Sequence, residues 1–176
     1  MMKKMNKLNK AIVICVECSQ QYPSDSLYID KILKHIYLLN ETKINYIYLA
    51  GKGNYNSNKT IKKINKHLSN KKIITKIIYC LDTDNFKTSP EDAKLNKEIE
   101  LFCISNNYEL VWFCRDIEEV LINKRVSDSQ KPKEAQKFQK ANNNINSELI
   151  SKLKHENINI KKSNFLNKFD KELIRK

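Results

Sequence analysis

The sequence predicts an α/β domain built on a parallel four-stranded sheet, and three observations predict it. Four short apolar runs, AIVICV (11–16), INYIYLA (44–50), KIIYCL (76–81) and YELVWF (108–113), are rich in β-branched and aromatic residues. They are apolar nearly throughout rather than alternating, the pattern of strands covered on both faces. Helix-like segments separate them, and strand–helix–strand three times over argues parallel pairing with helices on both faces. A chain of 176 residues with 40% hydrophobic and 30% charged residues also has the make-up of one folded domain rather than a disordered segment.

The first helix is expected in SDSLYIDKILKHIYLLN (24–40), where Leu27, Ile29, Ile32, Leu33, Ile36 and Leu39 fall near helical spacing and Ser24 or Asp25 supplies a cap. The second lies in NKTIKKINKHL (58–68), with Ile61, Ile64 and Leu68 on one stripe. Pro90 and two acids mark the start of the third, PEDAKLNKEIELFCISN (90–106). After Asn123 the composition shifts to 14 Lys/Arg against 6 Asp/Glu, with no strand-like run. RVSDSQKPKEAQ (125–136) reads as a linker or mobile loop, and NINSELISKLKHENI and NFLNKFDKELIRK as amphipathic helices. The expected division is a basic tail at 1–10, the α/β domain at 11–123, and a basic helical extension at 124–176 that forms a lid, arm or tail.

A formal net charge of +13 favours a polyanionic partner such as nucleic acid, although a Lys- and Asn-rich composition bias accounts for charge of this kind equally well. The apolar run at 11–16 is too short for a signal peptide, and no stretch reaches the roughly 20 apolar residues that span a bilayer. A cytoplasmic protein without membrane contact is expected. Five cysteines, mostly in apolar runs, suit buried reduced thiols. Cys15 and Cys18 have the spacing of a zinc half-site, but no second pair follows.

In an open parallel sheet, ligands bind beyond the carboxyl ends of the strands. Glu17 follows the first run, and Asp82 and Asp84 follow the third in YCLDTDN. With the strands in the order 2-1-3-4, all three converge on one edge, and the two aspartates, two apart on an extended segment, point to one side. Carboxylates so crowded call for a cation, and hard oxygen donors suit Mg²⁺ or Mn²⁺. The bland alternative is that each acid caps a helix or ends its strand. The two glycines, Gly51 and Gly53, flank Lys52 in the loop after the second run. With Lys59 and Thr60 at a following helix start they suggest phosphate binding, or simply a tight turn. The P-loop spacing is absent. Asp116, Glu118 and Glu119 follow the fourth run and can reach the same edge or serve the first turn of a helix; Asp25 has the same two readings. His35, His67 and His155 are placed for structural or solvent-facing roles.

A Glu ending strand one and an Asp-x-Asp ending strand three, among basic loops, resemble the Toprim fold of topoisomerases, primases and small nucleases. Within it, residues 11–122 look most like the RloB-like (AbiLii-type) phage-defence proteins. That resemblance implies a Mg²⁺- or Mn²⁺-dependent nuclease acting on DNA or RNA. Glu17, Asp82 and Asp84 would be the metal-binding acids, with Glu17 also a general acid or base. Asp116 or Glu118 would be the added carboxylate of a two-metal site, with Asp25 beside a second ion and Lys52 and Lys59 on the phosphate. Cys18 stands where the family has Gly after the first Glu, and CSQQYPSD (18–25) is longer than its usual turn. These departures leave open a noncatalytic nucleic-acid-binding or regulatory module with a degenerate site. A receiver-like domain and an effector acting through its C-terminal arm are further alternatives. A partner protein such as an ATPase leaves no trace in the residues.

Overall fold

The structure, a computed structural model describing residues 9–156 and 160–176, opens on β1 (Asn9–Val16) and α1 (Ser24–Ile36). A two-residue β2 (Tyr37–Leu38) leads to β3 (Thr42–Tyr48), a 3₁₀ turn at Lys52–Asn54 and α2 (Asn58–Leu68). Then come β4 (Ile73–Asp82), α3 (Pro90–Ser105), β5 (Glu109–Cys114) and α4 (Ile117–Ile122). The C-terminal third forms α5 (Lys131–Lys140), α6 (Ser147–Lys152), β6 (Lys162–Ser163), α7 (Phe165–Phe169) and β7 (Ile174–Arg175). The fold is α/β. Among the described residues five strands form the main sheet in the order β3-β1-β4-β5-β6, parallel except for β6, so the expected four-stranded sheet gains an antiparallel fifth strand.

Local chemistry explains most element starts. Ser57 and Ser89 cap α2 and α3, accepting from Thr60 N and Asp92 N, and Pro90 occupies the first turn where its missing N–H costs nothing. For α1 the expected caps are corrected. Ser24 is already helical, Pro23 precedes it, and Asp25 lies inside the first turn.

Alternate residues of β1 enter two apolar clusters, as a period of two requires. Ile12, Ile14 and Val16 join α1, α4 and the C-terminal elements; Val13 and Cys15 join Ile64 of α2 and Ile99 and Cys103 of α3. Cys15 and Cys18 therefore pack into different clusters, which leaves no zinc half-site there, and all five cysteines are free thiols.

The C-terminal third belongs to the first cluster. Ala135, Phe138, Leu149, Leu153, Phe165, Leu166 and Phe169 are buried in it, and Phe138 meets Tyr28 of α1 edge-on at 5.1 Å between ring centroids. The reading of 125–136 as a linker is corrected, because α5 begins at Lys131 with Pro132 in its first turn. The two long amphipathic helices are corrected to the short α6 and α7, the second followed by β7 on β2; residues 157–159 lie outside the described residues. On the edge of β5 the side-chain amide of Asn164 continues the ladder, accepting from Trp112 N and donating to Leu110 O. The expected N-terminal tail lies outside the described residues up to residue 8, while Asn9 and Lys10 begin β1. No helix of the described residues is long and apolar enough to cross a membrane.

Candidate functional site

Pairing of Val16 with Tyr48 on one side and Cys80 on the other brings the carboxyl ends of β1, β3 and β4 level. The ladder continues past the strand ends, with Leu49 N donating to Val16 O and Gly51 N to Glu17 O. Gly51 sits at φ 113°, a conformation L side chains resist, and this sharp turn delivers Lys52 to the sheet edge. Gly53 has no such constraint, so only one of the two glycines is conformationally required.

Lys52 is buried, 5% exposed, and its ammonium donates to Asp82 O at 2.9 Å and to the Asp84 carboxylate. Lys52, expected as a phosphate ligand, is thus engaged in an ion pair with the partly exposed Asp84 carboxylate. Lys59 is exposed on the first turn of α2 and Thr60 is engaged with Asn54 O. The extended segment expected to carry both aspartates stops at Asp82. Asp84 lies in left-handed backbone at φ 51° with its carboxylate on Lys52, whereas Asp82 accepts from Ile117 N at 3.0 Å. Both remain electrostatic neighbours of Glu17.

Of the acids after β5, Asp116 caps α4, accepting from Glu119 N at 2.7 Å, and Glu119 holds Arg115 through two hydrogen bonds. Glu118 is the one turned inward. It is fully buried, and neither carboxylate oxygen has a hydrogen-bond partner among the described residues. Glu17 Oε2 is likewise buried and without a partner. Asp25 faces the same space, its carboxylate accepting from Cys18 N at 2.9 Å and from the Ser24 hydroxyl at 3.0 Å.

A cavity of about 450 Å³ opens here, lined by Glu17, Cys18, Asp25 and Asp82 from the α/β portion and by Asp128 and Lys131 from the C-terminal third. Lys131 is the residue that the sequence did not single out. Burial alone would depress its pKa, but Glu118, Asp82, Asp128 and Asp25 outweigh that and hold it above its ordinary value. The only sequence signal is Pro132 beside a Lys at a helix start; nothing local tells that α5 packs on α1.

Burial, reinforced by Asp84 and opposed by Lys52, pushes Glu17 from 4.5 up to about 7. Burial also pushes Glu118 to about 7, with Lys131 opposing and Asp25 reinforcing. Asp82 is raised well above its usual range by burial and then by Glu17, Asp25 and Glu118. Asp116 is raised by burial. The folded protein therefore holds protons on Glu17 and Glu118 that the unfolded chain has released above pH 4.5. The stability they contribute is complete below about 4.5 and is lost as pH rises through about 7. The metal-free protein is expected to melt several degrees lower at about pH 8 than at about pH 5, and Glu118→Gln to flatten that slope. Equal melting temperatures for the wild type across this window would contradict the assignment.

The donor set fits a hard divalent cation in type and charge, because buried carboxylate oxygens without donors are sites that a cation satisfies. Among the described residues, however, no three His, Cys, Asp or Glu side chains are grouped so as to hold an ion as they stand. Compared with family models, with curated proteins and with solved structures, the chain gives no significant match.

Proposed function

We propose that this chain is a Toprim-type, Mg²⁺- or Mn²⁺-dependent enzyme that cleaves phosphodiester bonds in DNA or RNA. The observation that carries the reading is Glu17. It has an unpartnered, buried carboxylate oxygen at the end of β1, beside Asp82 at the end of the adjacent parallel strand β4. The order β3-β1-β4-β5 and the two apolar clusters support that reading of the fold, and an RloB-like role in phage defence is proposed from the sequence resemblance alone.

In this reading Glu17 and Asp82 would hold the ion, with Asp25 and Glu118 as neighbouring carboxylates and Asp84 engaged by Lys52. A bound divalent cation supplies charge neutralisation at the scissile phosphate and acidifies water. Without the ion, burial keeps Glu17 protonated up to about pH 7, so binding of the cation would be coupled to loss of that proton. Lys52 fixes the strand end by holding both Asp82 O and the Asp84 carboxylate. Lys131 offers its ammonium to a phosphate oxygen from the opposite wall of the cavity.

Supercoiled plasmid, single-stranded DNA and tRNA are the substrates to test, in Mg²⁺, Mn²⁺ or EDTA. Cleavage that requires metal is expected, along with a melting temperature raised by Mg²⁺ at about pH 8. A second reading, a noncatalytic nucleic-acid-binding module, is favoured by one observation, the Lys131 ammonium already sharing the cavity with the acids. Binding without cleavage, indifferent to metal, would select it.

A further inference from the structure

We propose that the pocket just beyond Asp84 is a nucleobase site, and that the substrate is therefore engaged as a single strand; this rests on the proposed phosphodiester chemistry. The pocket is separate from the acidic cavity, about 170 Å³ in volume, and lined by Asp84, Phe86, Lys87, Thr88, Arg115 and their neighbours. Its apolar wall is the half-buried ring of Phe86 together with the exposed side chain of Ile160, and Phe86 belongs to neither apolar cluster.

Cations ring this wall. Lys87 Nζ lies over the Phe86 ring, 5.9 Å from its centroid, and the Arg115 guanidinium is held by Glu119 through Nε at 3.0 Å and a terminal nitrogen at 2.6 Å. Arg125 donates to the Asn85 side chain at 3.2 Å. An aromatic ring that already draws a cation onto its face, with Arg alongside, is the chemistry that takes a base on that face while the exposed Lys87 moves to the flanking phosphate. Stacked and paired bases in a duplex do not present that face.

Position ties the pocket to the acids. Asp84 lines it while sharing Lys52 with Asp82 O, and its charge is the largest side-chain influence on Glu17. A base seated on Phe86 sets its own phosphodiester beside the carboxylate edge. The pocket therefore supplies what the acids lack, a means of placing the substrate.

The test is fluorescence anisotropy with a labelled short oligothymidylate and with a duplex of equal length, in EDTA at low salt. The wild type, Phe86→Ala and Phe86→Trp are compared. The wild type is expected to prefer the single strand. Phe86→Ala should weaken single-strand binding roughly tenfold while leaving the duplex unchanged, and Phe86→Trp should retain affinity. If Phe86→Ala binds both ligands as the wild type does, the base site is wrong even where metal-dependent cleavage is found. If Phe86→Ala loses single-strand affinity and no metal supports cleavage, the base site stands and the catalytic reading falls.

Discussion

Glu17→Gln is expected to lower metal-dependent cleavage by roughly 10²–10⁴-fold, the range lost when a group that transfers protons or organises charge at the reacting centre is removed. The same variant should melt no lower than the wild type at about pH 8. Glu17 at that pH is a buried carboxylate with one oxygen unpartnered, and the amide removes its uncompensated charge without changing the shape of the side chain. Activity and stability therefore move in opposite directions, the signature of a residue kept for chemistry at a cost in folding. Asp82→Asn should behave alike in activity, since the amide oxygen can still accept from Ile117 N. A Glu17→Gln protein that cleaves normally would remove the carboxylate edge from the mechanism. One that loses activity only because it unfolds would show a structural role instead.

Phe165→Ala is expected to cost about 3–5 kcal/mol, a large part of the roughly 5–15 kcal/mol that holds a domain folded. The ring is wholly buried, stacked on Phe169 at 4.3 Å between centroids, and 6.2 Å from Phe113 of β5. Truncation opens a cavity between the C-terminal elements and the sheet, and the backbone that pairs β6 with β5 cannot follow inward. A melting temperature lowered by roughly 10 °C in a single transition is the expected readout. An unchanged melting temperature would mean that residues after 123 fold apart from the sheet. The same packing has a functional consequence, because it places α5 on α1 and thereby Lys131 in the acidic cavity.

The strands and the helices between them were legible because their signals are local. Runs such as AIVICV and KIIYCL carry β-branched residues without alternation, and Ser57, Ser89 and Pro90 announce helix starts through their own hydrogen-bonding chemistry. Segments after Asn123 misled for the same reason. A basic amphipathic run such as NFLNKFDKELIRK has helical spacing, yet only Phe165–Phe169 is helical. Beyond it the chain turns so that Asp170 can bind Arg175 and Tyr37, and β7 pairs with β2. Those partners lie more than 130 residues away in the case of Tyr37, where periodicity carries no information.

By itself the sequence determined the α/β class, the parallel runs and the acids at the strand ends, because pattern and strand-end position follow from backbone periodicity. Only the tertiary structure decided the role of each acid. Glu118 turns inward while Asp116 caps its helix, because α4 leaves β5 in a direction fixed by packing against α6 and by the hydrogen bond from Ile117 N to Asp82. Lys52 became an internal counter-ion because a positive φ at Gly51 aims it at β4, and Lys131 a wall of the cavity because Phe138 buries itself on Tyr28. Charges acquire their function from the desolvated neighbours that packing brings to them, and those neighbours are distant in the chain.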